Sequence, residues 1–149
     1  MTTDKIVFDG KRPEWGMFSN YSMHSFKIDG KTFMTAEHYI QSQKFVYIGD
    51  LELQKKIMET IRWSSSIHEL KEKVRMYIRD YGFDSELWDE RRPAVIKRAI
   101  EAKFEQNSYL KKILINTGEL KLVDKTYKDT KMNKLTSEIL TELREAFTS

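Results

Sequence analysis

The sequence contains no cysteine, and this absence excludes disulfide bonds and thiolate metal ligands. A chain without cysteine is typical of a reducing compartment, so we expect a cytoplasmic protein. Only two prolines and six glycines occur in 149 residues, and the sequence shows no linker, repeat or low-complexity tract. No apolar run approaches the roughly 20 residues of a membrane-spanning helix, so we expect no membrane partner.

What is present is the composition of one globular domain, which we assign to residues 1–149. Hydrophobic residues make up 40% of the chain and charged residues 33%, a usual balance for a domain that buries a core. The 26 basic and 23 acidic residues leave a net charge of +3. This charge is too balanced to indicate nucleic acid by itself, but the phosphates of a nucleotide need only a few well-placed cations.

The order of the sequence patterns predicts a mostly helical α+β domain with a small antiparallel β element. That element is a hairpin over residues 25–33, because Asp29 and Gly30 supply the positive φ angles of a two-residue turn. Short strands are also expected at residues 6–8 and 120–123. One helix should begin at a cap on Asp50, a second at a capping box from Ser66 to Glu69, and a third with Pro93 in its first turn. Two further amphipathic helices are expected at residues 109–114 and 135–147.

A helix is expected after the hairpin, and its polar residues share one face. Glu37, Gln41 and Lys44 stand at positions i, i+4 and i+7, which places them one above another on a helix. This stripe brings a carboxylate, an amide and an amine together beside the loop of residues 16–20. One interpretation is a solvated helix face with a single ion pair. The other is a catalytic or binding surface.

The same segment resembles the N-terminal pattern of the NADAR family, also called YbiA-like proteins. The shared motifs are Ser-Asn-aromatic at residues 19–21, Asp-Gly-Lys-Thr at residues 29–32 and Glu-His-Tyr-x-Gln-x-x-Lys-Phe at residues 37–45. The resemblance resumes at Trp88 and continues in residues 102–107, 117–124 and 139–144. Members of this family are N-glycosidases that act on ribosylated bases, either early riboflavin-pathway intermediates or ADP-ribosylated guanine. The resemblance therefore implies a YbiA-like fold and an N-glycosidase activity.

The resemblance also implies which residues react. Lys44 matches the motif lysine, and in base-releasing members a lysine attacks the anomeric carbon and holds the opened sugar as a Schiff base. Partial burial would depress the pKa of this amine, as nucleophilic attack requires. Glu37 would hold Lys44 or move protons, although a fixed Glu37–Lys44 ion pair would raise the lysine pKa. Asp129 and Asp124 match family positions, with Asp124 replacing a usual Glu, and either would stabilise cationic charge on the ribose.

Substrate contacts are expected at Gly16, Phe18, Asn20, Gln41 and Trp88. Gly16 would allow close backbone approach, Asn20 would bind a ribose hydroxyl, and Trp88, placed just before a helix, would stack on a base. The alternatives are ordinary turn residues for Gly16 and Asn20 and a core position for Trp88. The three histidines have no convincing ligand spacing to carboxylates, so we expect no metal and no cofactor.

The sequence departs from the family pattern after Asp129. Family members usually continue with Trp-Gly and a glycine-rich loop, whereas residues 130–136 of this chain lack that loop and place Met132 at the Trp position. The Gly-Arg that many members carry is also missing around residues 73–79. Two classes of function therefore remain open. We favour an N-glycosidase, and the alternative is a module that binds an ADP-ribose-like or nucleotide ligand, or a protein, without turnover. The expected partner of the enzyme is a ribosylated nucleobase or an ADP-ribosylated substrate, including one carried on nucleic acid.

Overall fold

The computed structural model describes residues 4–149 and combines helices with short strands. Within these residues the helices are α1 (Ala36–Ser42), α2 (Leu51–Arg62), α3 (Ile67–Tyr81), α4 (Ser85–Glu105), α5 (Ser108–Asn116) and α6 (Thr130–Thr148). The strands are β1 (Lys5–Phe8), β2 (Phe26–Ile28), β3 (Lys31–Phe33) and β4 (Lys121–Asp124), and two 3-10 turns occupy Gly16–Phe18 and Gln43–Phe45. The predicted α+β class, mostly helical with a small antiparallel element, is confirmed.

The strands form two separate pairs. Strands β2 and β3 are antiparallel, and the turn residues Asp29 and Gly30 have φ angles of 51° and 77°. Positive φ at both central positions matches the turn to the twist of the strands, so the predicted hairpin is confirmed. Strands β1 and β4 are parallel, with Phe8 opposite Asp124. Both of these strands were expected, but their pairing was not.

Side-chain caps set the start of four helices. Thr35 caps α1 by accepting a hydrogen bond from a backbone N–H of the first turn at 3.1 Å. Asp50 caps α2 and Ser66 caps α3, as predicted. Asp129 caps α6 in the same way, at 2.9 Å. Each cap satisfies a backbone donor that has no partner inside the helix, so these polar residues determine where the helices begin.

Helix α4 corrects two predictions. Pro93 lies in the interior of this helix rather than in a first turn, and Trp88 lies on the helix rather than before it. A proline inside a helix removes one backbone hydrogen bond and costs about 3 kcal/mol. The helix persists because its apolar face is buried, with Ile96 0% and Ile100 1% exposed. Burial of this face outweighs the local penalty.

The buried apolar side chains form two clusters, and α1 lies between them. The larger cluster joins both strand pairs to α1, α4, α5 and α6. The smaller one packs Phe45 and Ile48 against α2 and α3. Because Ile40 belongs to the larger cluster and Phe45 to the smaller, α1 and the turn after it are fixed from both sides.

No helix within residues 4–149 has both the length and the hydropathy required to span a bilayer.

Candidate active site

The polar stripe of α1 continues beyond the end of the helix. Helix α1 ends at Ser42, and Lys44 lies in the 3-10 turn that follows without a break. We expected Glu37, Gln41 and Lys44 to lie on one α-helix. This holds for Glu37 and Gln41 but is wrong for Lys44. The three side chains nevertheless line one cavity, with a volume of about 340 Å³. The turn is continuous with the helix, so it keeps the amine beside the carboxylate and the amide.

Glu37 is a buried carboxylate held by two donors. The residue is 1% exposed. Its Oε1 accepts a hydrogen bond from the Tyr127 hydroxyl at 2.7 Å, and its Oε2 accepts one from Gln41 Nε2 at 3.0 Å. Burial raises the pKa of Glu37, and the hydrogen bonds from Tyr127 and Gln41 oppose that rise. A carboxyl balanced in this way is suited to exchange a proton with a bound substrate.

Tyr127 is a site residue that sequence reasoning missed. It follows β4, lies 90 positions from Glu37 in the sequence, and donates its hydroxyl hydrogen to that carboxylate. The same hydroxyl accepts a hydrogen bond from Asn20 Nδ2 at 3.1 Å. Asn20 Nδ2 also donates to Thr136 Oγ1 at 3.2 Å. This chain of hydrogen bonds holds Glu37 in one orientation, and no local sequence pattern indicates it.

Lys44 provides the amine of the cleft. Its Nζ lies 5.5 Å from the ring centre of Trp88 and 5.7 Å from that of Phe83. Burial lowers the pKa of Lys44, and the Glu37 carboxylate opposes this fall. No ion pair among residues 4–149 includes Lys44, so the Glu37–Lys44 pair considered from the sequence is not formed. A partly buried amine without an ion-pair partner in the described residues is more often neutral than an exposed one, and nucleophilic attack requires the neutral form.

Two cavities flank Lys44 and share a wall made by Gln41, Lys44 and Tyr127. The second cavity has a volume of about 360 Å³ and extends along α4 past Trp88. Gln41 Oε1 is buried and has no hydrogen-bond partner among the residues described. Since Gln41 Nε2 donates to Glu37, the amide orientation is fixed. The carbonyl oxygen is left to accept a hydrogen bond from a hydroxyl or N–H of a ligand.

Asp129 borders the second cavity, but its charge is already paired. Its Oδ2 accepts a hydrogen bond from Arg92 Nη1 at 3.0 Å, while its Oδ1 caps α6. The side chain of Asp129 is 52% exposed and that of Arg92 is 8% exposed. Arg92 Nε is buried without a partner in the described part of the chain. Because Arg92 compensates its charge, Asp129 stabilises a cationic sugar less than a free carboxylate would.

Of the other predicted contacts, Trp88 lines the cleft, whereas Phe18 and Asn20 do not. Phe18 is 1% exposed and packs near Phe104, and Asn20 is 0% exposed. The expectation that these two side chains border the cleft is wrong, because their loop is drawn into the core. Gly16 begins the first 3-10 turn, and a Cβ there would meet no atom within 4 Å. Close packing therefore does not explain this glycine.

The buried amine of Lys103 accounts for the position of that loop. Lys103 is fully buried on α4 and donates to the carbonyl oxygens of Met17 and Ser19 at 2.7 and 2.9 Å. Burial lowers the pKa of Lys103 to about 7, and the two hydrogens of a neutral amine match these two acceptors. The sequence did contain a signal, since Lys103 follows Ile100 by three positions on the buried face of α4.

Asp124, predicted to contact substrate, is buried away from both cavities. It is 2% exposed, and its Oδ1 accepts a hydrogen bond from the backbone N–H of Thr126 at 2.8 Å. Its Oδ2 has no partner within the described residues. Burial raises the pKa of Asp124 to about 6. The Asp124 carboxyl therefore fixes the backbone next to Tyr127 and does not line either cavity. The prediction that it contacts substrate is corrected.

The fold is that of a small α+β protein. Its cleft brings together an amine, a buried carboxylate and an amide oxygen that has no hydrogen-bond partner in the described residues. A sequence model of the NADAR domain matches residues 7–132, and the chain belongs to the NADAR domain family. The match ends at Met132, within the segment where this chain departs from the usual pattern.

Named relatives agree with this assignment. The chain is 35% identical over 129 residues to N-glycosidase YbiA of Escherichia coli strain K12, and this alignment covers 83% of the chain and 71% of the relative. It is 30% identical over 138 residues to N-glycosidase R617 of Acanthamoeba polyphaga mimivirus, and that alignment covers 87% of the chain and 77% of the relative. The NMR structure of E. coli YbiA matches with a TM-score of 0.74 and 33% identity, over 99% of this chain and 88% of that one. These relatives place the chain among the N-glycosidases of the family.

Proposed function

We propose that this chain hydrolyses the N-glycosidic bond of a ribosylated base through a Schiff base on Lys44. The observation that carries the proposal is the setting of that amine. Lys44 has a pKa lowered by burial and shares a cavity with the buried carboxyl of Glu37. A nucleophile and a proton carrier that line the same cavity are the minimum that such a reaction needs.

The proposed reaction begins with attack of the neutral Lys44 amine on the anomeric carbon of the ribose. The bond between that carbon and the base nitrogen breaks, and the base leaves with the bonding electrons and a proton from Glu37. The raised pKa of Glu37 favours its protonated form for this step. The bond between the anomeric carbon and the ring oxygen then breaks as one proton passes from the Lys44 nitrogen to that oxygen, which leaves the opened sugar bound to Lys44 as a protonated imine. Water adds to the imine carbon, Glu37 accepts a proton, and the aldehyde sugar departs as the amine is restored.

Neighbouring residues would support these steps without exchanging protons. Gln41 Oε1, which is unpaired in the described residues, would accept a hydrogen bond from a ribose hydroxyl. Trp88, whose ring centre is 5.5 Å from Lys44 Nζ, would stabilise the cationic imine through its π face. Asn20 and Tyr127 would act as positioning residues for the Glu37 carboxyl. Asn20 thus keeps a role in this proposal, but at a distance from the substrate.

The test is to incubate the protein with a panel of ribosylated bases and ADP-ribosylated nucleic acid and to measure free base. Lys44→Ala should abolish release while changing Tm little. Lys55→Ala is the matched control, because Lys55 is exposed on α2 away from the cavities. Borohydride added during turnover should reduce the imine and leave a sugar adduct on Lys44. Full activity of Lys44→Ala would refute the proposed nucleophile.

An open outer wall favours a substrate larger than a phosphoribosyl compound. Only residues 125–129 connect β4 to α6, so no long loop covers the cleft at this point. Fewer enclosed contacts near the sugar would weaken binding of a small ligand, whereas contacts remote from the reacting bond would assist a larger one. We therefore propose an ADP-ribosylated substrate. Tight binding of ADP-ribose with no turnover of any substrate would instead support the binding module.

A further inference from the structure

We infer that a lysine-lined groove beside the cleft binds the phosphate groups of a nucleotide ligand. The groove, called here the phosphate groove, has a volume of about 570 Å³. Its cationic wall consists of Lys11, Lys71, Lys125 and Lys128. The inference rests on the proposed function only in assigning these phosphates to the substrate.

The balance of charge in the groove is positive because its acidic residues are already paired. Asp9 forms an ion pair with Arg12 at 2.9 Å, and Asp129 forms one with Arg92 at 3.0 Å. In contrast, none of the four groove lysines takes part in an ion pair within residues 4–149. Four uncompensated cations around one concave surface attract an anion of several charges.

The floor of the groove is aromatic, which is an independent observation. The rings of Tyr21 and Tyr127 meet edge to face at 5.6 Å, and Lys71 Nζ lies 4.7 Å from the ring centre of Tyr21. Gly10 packs directly on Tyr21, since a Cβ at that position would collide with the ring. Aromatic surfaces bordered by lysines suit nucleotides, because the rings contact bases or sugars while the cations follow the phosphates.

The phosphate groove is continuous with the proposed active site. Tyr127 lines both the groove and the cavities at Lys44, and Tyr21 and Lys71 line the groove and one of those cavities. A ligand whose ribose reaches Lys44 would therefore extend its phosphates over Tyr127 into the groove. The phosphate oxygens have two possible sources, the pyrophosphate of an ADP-ribosyl group or the phosphodiesters of a strand that carries the base.

The experiment measures binding by calorimetry with two probes, free ADP-ribose and an unmodified single-stranded DNA octamer. The groove variants are Lys125→Ala/Lys128→Ala and, from another part of the wall, Lys11→Ala. The control is Lys55→Ala/Lys56→Ala, which removes the same charge from exposed positions on α2 outside the groove. Each groove lysine removed should weaken binding about fivefold, the value of one contact ion pair in water. With the DNA octamer the salt slope should become shallower by about 0.7 per lysine.

The outcomes separate the two sources and the two proposals. Weaker ADP-ribose binding by the groove variants supports the pyrophosphate as ligand, and weaker binding of the octamer alone supports phosphodiesters. Equal affinity of wild-type, groove and control proteins for both probes would overturn the inference. Neither probe is cleaved in the binding assay. A positive binding result would therefore remain valid even if the wild-type protein released no base from any ribosylated substrate. If the wild-type protein releases base while the groove variants bind both probes with normal affinity, the proposal that the groove binds phosphates is refuted and the proposed N-glycosidase activity stands.

Discussion

Replacing Tyr127 with Phe tests whether the hydroxyl stabilises the ionised form of Glu37. The change keeps the ring but removes the donor to Glu37 at 2.7 Å and the acceptor of Asn20 at 3.1 Å. Glu37 then keeps the amide of Gln41, and Asn20 keeps Thr136. A hydrogen bond to a charged group contributes about 1.5–3 kcal/mol, so the free energy of unfolding should fall by about 2 kcal/mol. For a chain of this length, that loss lowers Tm by about 4–8 °C.

The size of this loss should depend on pH with a definite sign. Burial raises the pKa of Glu37 above its ordinary value of 4.5, so the folded protein retains a proton that the unfolded chain has released. This carboxyl therefore reduces stability increasingly as pH rises above 4.5. The Tyr127 hydroxyl offsets part of the effect by donating to the charged form. Tyr127→Phe raises the pKa of Glu37 further, and its Tm deficit should be larger at pH 8 than at pH 5.

Scanning calorimetry at the two pH values measures the deficit, with Tyr109→Phe as the control, because Tyr109 is 73% exposed. The control should melt with the wild type at both pH values. In a base-release assay, the limb of the pH profile that reflects Glu37 ionisation should move to higher pH in Tyr127→Phe. An equal Tm deficit at both pH values together with an unshifted profile would refute the reasoning.

The remaining predictions concern a buried amine, the proton carrier and the substrate. Stability should rise above about pH 7, the pKa of folded Lys103, by up to about 1.4 kcal/mol per pH unit, because unfolded lysine still holds its proton there. Lys103→Met should remove this rise in denaturant titrations, and a rise that persists would assign it to another group. Glu37→Gln should lower base release by about 100-fold or more without lowering Tm, since the change removes a buried charge; release within tenfold of wild type would contradict this. ADP-ribosylated substrates should have a higher kcat/KM than phosphoribosyl riboflavin intermediates, and the reverse order would argue against an extended ligand.

Elements whose ends are fixed by neighbouring residues were predictable from the sequence. The hairpin depends on the backbone angles of Asp29 and Gly30, and the start of α3 depends on the cap at Ser66. The buried face of α4 could also be predicted from the sequence, since its apolar residues repeat with the helical period. Pro93 misled the placement of the start of α4 because a proline is usually found at a helix start. Here the tertiary burial of a 21-residue helix keeps it in the interior.

The candidate site was predictable only where its residues are close in sequence. Glu37 and Gln41 were identified together because one helix turn separates them. The partnership of Glu37 with Tyr127 spans 90 positions and depends on how β4 packs, which no local pattern specifies. Asn20 was placed at the cleft because its motif does not show that the Lys103 amine holds the neighbouring carbonyls inside the core.

The parallel pairing of β1 with β4 has a consequence for the order in which the protein folds during synthesis. Strand β1 precedes α1 and β4 follows α5, so the pair closes a loop that contains most of the chain. Closing such a loop costs entropy before its contacts stabilise anything, and contacts of this kind form slowly. Tyr127 follows β4, so Glu37 acquires its second donor only when this closure is complete. A growing polypeptide on the ribosome can therefore contain α1 and Lys44 in the turn after it for some time. Its catalytic competence should nevertheless appear only in a late step, together with the closed topology.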